Sequence, residues 1–339
     1  MTQLEIAELR NKDEKAWDSY VLKSSTTTFY HQIGWRNVVE KTYKHKPIYL
    51  IAKEEGEIRG ILPLFMIGNK LVSLPFAPYG GACADDGTIE DLLIEKAKSI
   101  TKDEKLDYLE LRNVDKKNGF LTKETYVTVI IPLNPNPEFV WQKTSKGARR
   151  STKKAIKNNI EVEMNHTHLN AFYELYARRN RELGSPVHSH DFFNNIVEEF
   201  TDQSNIQVAK LGDKVIGTKF LLFFKDRFIS GWAASDKRYQ EYNPNNILTW
   251  ELIKYGCEHG YAYFDFGRSE NNSGTFKFKK AWGDATSKQL HYQFYLNKAK
   301  TLPDTSQSNL KRQMFARFWK ILPLSMTKMI GPRIRKSFP

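Results

Sequence analysis

The chain has 339 residues, of which 40% are hydrophobic and 13% aromatic, so it is not a disordered protein and is long enough for about two domains. The longest apolar run, 61–67, is too short to cross a membrane, and residues 1–10 carry no apolar signal-peptide stretch. Two isolated cysteines exclude a disulfide scaffold and a cysteine zinc site, and we expect a cytoplasmic protein.

The formal net charge of +13 is concentrated in two places. Residues 298–339 contain ten Lys or Arg and one Asp, whereas the other 297 residues carry 42 bases and 38 acids. Within the latter, 143–157 holds seven bases and no acid. Local basic patches on a nearly neutral body indicate a polyanionic ligand or an anionic surface rather than a domain that coats nucleic acid.

Two pairs of segments have similar sequence patterns, and the pairs occur in the same order along the chain. Both 48–65 and 206–223 predict a strand, a tight polar turn and a second strand, with an alanine and a glycine eight residues apart in each. A later pair, 107–112 and 262–268, predicts a strand after a helical stretch, 89–100 and 246–259 respectively. The matching alanines and glycines of the first pair lie 157 residues apart, and the second pair begins at an offset of 155 residues. The nearly equal offsets favour an internal duplication over chance similarity of short hairpins.

The predicted architecture is therefore α/β, with two tandem domains. We place the first at 1–140 and the second at 141–297, followed by a basic amphipathic tail at 298–339. In the tail, apolar residues recur at helical spacing and are surrounded by bases, and Pro323 ends the helix. Such a helix is typical of a membrane-surface anchor over 309–339. The alternative is a helix packed on the second domain with its charges in water.

Five motifs in this order resemble the FemAB-type aminoacyltransferases and the FemAB-related proteins found beside exopolysaccharide genes. They are Phe29 to Trp35, Leu74 to Gly81, the basic run from Lys143, Phe264 to Ser269 and Gly274 to Gly283. The resemblance covers about 25–295 and implies two tandem GNAT-like domains. It also implies transfer of an acyl group to an amino group, with aminoacyl-tRNA as the donor in characterised members and N-acetyltransferase activity in looser relatives.

The resemblance assigns catalysis to a Phe-Lys pair that corresponds here to Phe278 and Lys279. The lysine would stabilise the oxyanion that forms when an amine attacks an acyl carbon, and the phenylalanine would shape the donor pocket. Phe276 and Phe278 alternate with Lys277 and Lys279, which predicts a strand. The alternative for Lys279 is a solvent-facing residue on an edge strand.

The basic run predicts a helix with Arg149, Arg150 and Lys153 as phosphate-binding residues, since Arg and Lys suit diphosphates and tRNA. A solvated basic face is the alternative. The segment from Phe264 predicts a buried strand ending at Gly267, with Arg268 exposed at its mouth. The resemblance places Arg36 and the loop that contains Tyr79 near the acceptor, and we expect Arg268 and Tyr79 to position it. The lysine that binds phosphate in the family has no clean match, and Arg36 or Lys41 can substitute for it.

Some expected features are absent from the sequence. Acyl-CoA enzymes of the GNAT fold hold pyrophosphate on a glycine-containing loop, but 239–247 contains no glycine, which disfavours acetyl-CoA as the donor. The histidine pairs 166/168 and 188/190 lack the partners of a zinc site, so neither a metal nor a tightly bound cofactor is expected. No motif for a covalent intermediate occurs either, which favours direct attack by the acceptor amine.

We therefore expect a membrane-peripheral N-acyltransferase that acts at the inner face of the cell membrane on a cell-envelope precursor, either peptidoglycan or a polysaccharide building block. That precursor would carry a nucleotide or lipid diphosphate, and tRNA would bring the aminoacyl group. One rival keeps the fold and takes its acyl group from acyl-CoA or an acyl carrier protein, with an amino sugar as the acceptor. A rival of another class is a non-catalytic RNA- or membrane-binding protein on the same fold.

Overall fold

The computed structural model describes residues 4–303 and 310–338, which form two compact units. Within these residues, the first unit comprises 4–125, 289–303 and 337–338, and the second comprises 126–288 and 310–336. Two strands contribute to both units: β7 (Leu121–Pro132) and β13 (Thr286–Leu296). No helix in the described part of the chain is long and apolar enough to cross a membrane.

The first unit is a sheet with helices. Its further elements are β1 (Glu5–Glu8), α1 (Glu14–Lys23), α2 (Ile33–Tyr43), β2 (Lys46–Glu54), β3 (Glu57–Ile67), β4 (Lys70–Ser73), β5 (Cys83–Ala84), α3 (Gly87–Asp103) and β6 (Tyr108–Asn113). The strand order is β1-β2-β3-β4-β6-β13, and β5 pairs with β3. Every pairing here is antiparallel except that of β4 with β6, which are parallel neighbours joined through α3.

The second unit repeats this plan. Its elements are α4 (Pro137–Lys143), α5 (Lys146–Lys157), β8 (Glu161–Met164), α6 (Leu169–Leu183), α7 (His190–Glu199), β9 (Ser204–Leu211), β10 (Lys214–Phe224), β11 (Arg227–Ser235), α8 (Pro244–Glu258), β12 (Tyr263–Glu270), α9 (Gly274–Lys280), α10 (Leu310–Ile321) and α11 (Leu324–Arg335). The strand order is β7-β12-β11-β10-β9-β8. Again one pair is parallel, β11 with β12, and it is joined through α8.

The duplication predicted from sequence is present in the fold. The paired segments form the hairpins β2–β3 and β9–β10, and the helices and strands that follow are α3 with β6 and α8 with β12. In both hairpins the repeated alanine and glycine are partners in register, Ala52 with Gly60 and Ala209 with Gly217.

Each repeated glycine permits close packing of a helix. A Cβ on Gly60 would lie 2.9 Å from Ile89 of α3, and a Cβ on Gly217 would lie 2.9 Å from Pro244 of α8. A side chain at either position would therefore push the helix off the sheet. This is the physical reason for the matching glycines in the two halves.

The observed units differ from the predicted boundaries at 140 and 297. The second unit begins within β7, at 126, and most of β13 belongs to the first unit, because β13 pairs with β6. The predicted tail is also not a separate element, since α10 and α11 belong to the second unit and pack on α6. Residues 304–309, which include the start of the predicted anchor, lie outside the described residues.

Candidate active site

The parallel strands β11 and β12 separate along their length. They are paired in register only at three positions, from Arg227 with Tyr263 to Ile229 with Asp265. Beyond these pairs β12 contains a bulge, where its register against β7 shifts between Asp265 and Arg268. In open α/β sheets, ligands bind where the carboxyl ends of neighbouring parallel strands diverge. This end of β11 and β12 is therefore the candidate active site.

Asp265 and Gly267 build the bulge. Gly267 has φ of +69°, a left-handed conformation that glycine adopts without a steric cost, and its N–H donates to Asp265 Oδ1 at 2.7 Å. Asp265 is fully buried, and the hydroxyl of Thr128 on β7 donates to the same oxygen at 2.6 Å. The carboxylate therefore fixes the backbone of the bulge, and the prediction that the strand ends at Gly267 is wrong, since β12 continues to Glu270.

The segment after the loop is a helix, so the prediction of a strand over 276–279 is wrong. Ser273 caps α9 by accepting a hydrogen bond from the N–H of Phe276 at 3.1 Å. Side-chain capping supplies a partner for an otherwise unpaired N–H and favours a helix start. The alternation of two phenylalanines with two lysines was too short a pattern to separate a helical turn from a strand.

Lys279 is buried, with 8% of its surface exposed. Its Nζ donates to the carbonyl oxygens of Gly267 at 2.9 Å and Arg268 at 3.1 Å, so it is held against the bulge. An ammonium has three N–H groups, and in the described part of the chain no third acceptor lies within hydrogen-bond distance. The alternative of a solvent-facing lysine on an edge strand is thus contradicted.

Burial lowers the pKa of Lys279 to about 8, because a charged amine is disfavoured away from water. The charge of nearby Asp265 opposes this shift, and the charge of Arg268 adds to it. The amine therefore remains largely protonated at pH 7. A buried, pre-positioned ammonium with one N–H to spare can stabilise a developing oxyanion.

Phe278 and Arg268 lie on the elements that carry Lys279. Phe278 is half-buried on α9, with its ring 6.1 Å from that of Trp282. Arg268 is exposed, as predicted, and its guanidinium lies 4.6 Å from the ring centroid of Tyr126. The structure therefore brings three of the predicted site residues together, at β12 and α9.

The basic run forms α5, as predicted. Ser145 caps the helix, and Ala148, Thr152 and Ala155 form its buried face. The cationic residues lie on the remaining faces; they are Lys146, Arg149, Arg150, Lys153, Lys154 and Lys157. Within 4–303 and 310–338, no carboxylate pairs with any of these six, whereas Lys143 just before the helix pairs with Asp284. The cluster of six is available to an anionic ligand.

Tyr79 lies in the first unit, in the loop between β4 and β5. This loop is fixed from within the unit by Arg112, which donates to Ala77 O at 3.2 Å, and by Tyr292, whose hydroxyl donates to Pro78 O at 2.9 Å. Tyr79 is itself buried, with 7% of its surface exposed. The loop is therefore held by hydrogen bonds from within its unit, and the contact of Tyr79 with the acceptor stays a prediction.

Arg36 also belongs to the first unit, on α2, and it is engaged internally. Its guanidinium donates to Glu14 Oε1 at 2.6 Å and to Asn37 Oδ1 at 3.2 Å. The role of Arg36 as a phosphate ligand stays a prediction. It requires the guanidinium to leave Glu14 and bind a phosphate instead. Trp35 is fully buried and donates to Pro75 O at 3.2 Å, which agrees with core packing.

Sequence reasoning missed one residue, Lys219 on β10. It is buried to 4% exposure, and its Nζ donates to the hydroxyl of Thr249 on α8 at 2.7 Å. The signal was a single lysine in 216–224 of β10, where six of the nine residues have large apolar side chains. A buried lysine is rare unless it is paired, so this one marks a site that the hydrophobic pattern alone conceals.

Two further candidate ligand sites are the segment before α8 and the histidines. The glycine-free segment forms a short 3-10 turn, Lys237–Tyr242, followed by Asn243 in the left-handed conformation and then α8. No group of three or more metal-ligating side chains occurs in the described residues. His188 lies in the loop between α6 and α7 and is fully buried, with its ring 4.1 Å from that of Phe192.

Known proteins resemble this chain in sequence and in fold. Residues 142–280 match the family model described as an acetyltransferase (GNAT) domain. Lipid II:glycine glycyltransferase of Staphylococcus haemolyticus is 21% identical over 72% of this chain and 82% of its own length. The solved structure of FemX superposes with a TM-score of 0.69 at 16% identity and covers 87% of this chain and 98% of its own.

These comparisons confirm the resemblance of the motifs to the FemAB-type proteins, and the chain is an acyltransferase. A tandem GNAT protein from the clavulanic acid biosynthesis pathway, with a TM-score of 0.57 at 10% identity, covers 89% of this chain and all of its own. The predicted fold, two tandem GNAT domains, is thus confirmed as well. A further glycyltransferase, of Staphylococcus epidermidis, is 29% identical but matches over only 20% of its length.

Proposed function

We propose that this protein transfers an aminoacyl group to an amino group of a peptidoglycan precursor. The observation that carries the proposal is the geometry of Lys279, a buried ammonium held by two backbone carbonyls with one N–H unpaired within the described residues. The relative named lipid II:glycine glycyltransferase supports the acceptor class. An amino sugar of a polysaccharide precursor is the alternative acceptor.

The reaction follows from these groups. The acceptor amine attacks the acyl carbon, and the carbonyl oxygen becomes negatively charged in the tetrahedral intermediate. Lys279 stabilises this oxygen, Phe278 lines the acyl pocket, and Arg268 orients the acceptor. Loss of a comparable oxyanion donor lowers turnover by about 100- to 1,000-fold.

The donor we propose is aminoacyl-tRNA. The support is α5, whose six cations have no carboxylate partner among residues 4–303 and 310–338, and whose Arg149, Arg150 and Lys153 are suited to phosphate oxygens. The 3-10 turn before α8 lacks the glycines that hold the pyrophosphate of acyl-CoA enzymes, which disfavours acyl-CoA.

We further propose that the protein docks on anionic membranes through α10. Four large apolar side chains of this helix are more than half exposed; they are Leu310, Met314, Phe318 and Ile321. Bases flank them, and no acidic residue occurs in 310–338. An exposed apolar stripe edged by cations suits the interface of an anionic leaflet, where each base contributes about 1 kcal/mol. Such docking would bring the enzyme to a lipid-linked acceptor.

One experiment tests the reaction and the donor together. Bulk tRNA charged with a radiolabelled amino-acid mixture, or labelled acetyl-CoA, is incubated with lipid II in anionic vesicles and, separately, with a nucleotide-linked precursor. We expect label to pass from tRNA to a precursor, and Lys279→Met to lower turnover at least ~100-fold. Lys277→Met, an exposed lysine on the same helix, is the matched control and should keep full activity.

Other outcomes have defined meanings. Transfer of label from acetyl-CoA alone would show that acyl-CoA is the donor, and the protein would still be an acyltransferase. Undiminished turnover in Lys279→Met would remove Lys279 from catalysis. Absence of transfer from either donor, with tRNA or vesicle binding intact, would favour the non-catalytic binding protein. Flotation with phosphatidylglycerol vesicles tests docking: Met314→Gln/Phe318→Gln should reduce it strongly, and equal binding by the variant would refute the role of α10.

A further inference from the structure

Lys219 extends from β10 towards β12. Its Cα is in register with Gln207 on β9 and Ala233 on β11, so β11 lies between it and β12. Its Nζ nevertheless lies 5.7 and 5.9 Å from the ring centroids of Phe264 and Phe266 on β12. The side chain therefore crosses the level of β11 and reaches β12 close to where the pairing of the two strands ends, at Ile229 and Asp265.

Two glycines lie just beyond the paired positions of β11 and β12. Gly231 is the extra residue in the register of β11 against β10, and a Cβ there would have no neighbour closer than 3.7 Å. At Gly267 on β12, a Cβ would meet only the Ser230 carbonyl oxygen, at 3.4 Å. Lys279 is bonded to the carbonyl of that same Gly267. The two buried lysines thus flank the diverging ends of β11 and β12.

The surroundings of Lys219 do not neutralise a charge. Its one hydrogen-bond partner within the described residues is the Thr249 hydroxyl, which in turn donates to Asn245 O at 2.7 Å. The residues in register with it on the neighbouring strands carry an amide (Gln207) and a methyl group (Ala233). The charged group that acts on Lys219 is Lys279, on α9. Burial and the like charge of Lys279 lower the pKa of Lys219 to about 7.

Two neighbouring amines therefore differ in protonation. Between about pH 7 and 8 the neutral form of Lys219, which carries a lone pair, is the more populated one, whereas Lys279, with a pKa of about 8, is mostly protonated. When the surroundings give two titratable groups at one site different pKa values, the group with the lower pKa can act as the base and the other as the acid or the cation. The attacking amine in acyl transfer must lose a proton, and Lys279 as a cation cannot accept one.

We propose that Lys219 is a further catalytic residue, the proton acceptor for the attacking amino group; this inference rests on the proposed function. The acceptor nitrogen forms a bond to the acyl carbon and gives its proton to the Lys219 Nζ lone pair. The acyl–oxygen bond of the donor ester then breaks, and the Lys219 ammonium returns the proton to the leaving alkoxide. The lysine ends the cycle as a neutral amine.

The test is the pH profile of turnover with bulk aminoacyl-tRNA and lipid II. The wild type should give a bell-shaped profile whose acid limb reflects Lys219 and whose alkaline limb reflects Lys279. Lys219→Met should lower kcat at least ~100-fold, with KM changed much less, and should abolish the acid limb. Lys214→Met, an exposed lysine on the same strand, should retain the wild-type profile.

A second variant and a direct titration guard against a folding defect. Thr249→Val removes the acceptor of the Lys219 hydrogen bond, which disfavours the ammonium and should move the acid limb to lower pH. A carbon-13 NMR titration of the lysine Cε groups, assigned with Lys219→Met, should show a midpoint near 7 for Lys219 without any substrate.

Either of two results would overturn the inference. One is a Lys219→Met enzyme with normal kcat and an unchanged acid limb, and the other is a Lys219 ammonium that persists above pH 9. These results differ from a failure of the proposed function. If Lys279→Met loses turnover and Lys219→Met does not, only the assignment of Lys219 fails. If the wild type transfers no label from aminoacyl-tRNA, the proposed function itself fails.

Discussion

Lys279 Nζ donates a 2.9 Å hydrogen bond to the carbonyl oxygen of Gly267, a residue whose φ is +69°. The left-handed conformation of Gly267 thus decides where the carbonyl that holds the amine points. Since Lys279 is on α9 and Gly267 on β12, this bond ties the helix to the strand bulge. The proposed oxyanion donor is positioned by backbone geometry as much as by its own burial.

Replacement of Gly267 should disturb both stability and turnover. In Gly267→Ala, an L-residue must adopt the left-handed conformation, which costs about 1–2 kcal/mol, and its Cβ meets the Ser230 carbonyl at 3.4 Å. We expect a corresponding decrease in the free energy of unfolding, measured with urea, and a lower kcat. Gly274→Ala at the start of α9, where a Cβ would have open space, should change neither quantity; equal losses in the two variants would contradict this account.

The buried carboxylate of Asp265 should depend on Thr128. Thr128→Val removes the hydroxyl that donates to Asp265 Oδ1 at 2.6 Å and leaves a buried carboxylate one partner short, which costs about 1–3 kcal/mol. Thr152→Val is the comparison, because that buried hydroxyl donates only to the carbonyl of Ala148. Chemical denaturation should show the larger loss for Thr128→Val, and the reverse order would refute the argument.

Removal of Lys219 should stabilise the protein at neutral pH. An unfolded lysine with an ordinary pKa of 10.5 is protonated there, whereas the folded pKa is about 7, so folding must release a proton between these values. The wild type therefore gains stability relative to Lys219→Met as the pH rises from 7 towards 10. Thermal unfolding of both proteins across this range should show the difference shrinking, and a constant difference would argue against the lowered pKa.

Adjacent residues of α10 should behave in opposite ways. Trp319 is buried, with 1% of its surface exposed, and Trp319→Ala should cost about 3–5 kcal/mol in the stability of the region that holds it. Phe318 is 56% exposed, and Phe318→Ala should leave Tm nearly unchanged while weakening flotation with anionic vesicles. A large loss of Tm in Phe318→Ala would mean that this face packs on protein instead.

The cations of α5 should act through phosphates. If tRNA lies along this helix, each of Arg149→Ala, Arg150→Ala and Lys153→Ala should weaken tRNA binding and reduce the slope of log affinity against log salt by about 1. Filter binding at several stated salt concentrations measures both quantities. Unchanged slopes in all three variants would leave α5 as a solvated face.

The sequence by itself determined the duplicated architecture. The spacing of Ala52 with Gly60 and of Ala209 with Gly217 is local, and each pair reports the same requirement, a hairpin on which a helix packs closely. It also indicated α5 and the end of α10 before Pro323, because charge runs and prolines act within a few positions along the chain. The motif that resembles the FemAB-type family identified Lys279 itself.

The tertiary structure alone decided the chemistry of the lysines. The sequence of a short segment does not show whether a lysine side chain in it faces water or a core. Neither the burial of Lys279 nor its hydrogen bonds to the carbonyls of β12 could therefore be predicted. Lys219 looked like an interruption of an apolar strand until β11, β12 and α8 surrounded it. Protonation depends on solvent exclusion and on charges distant along the chain, and only the folded structure brings these together.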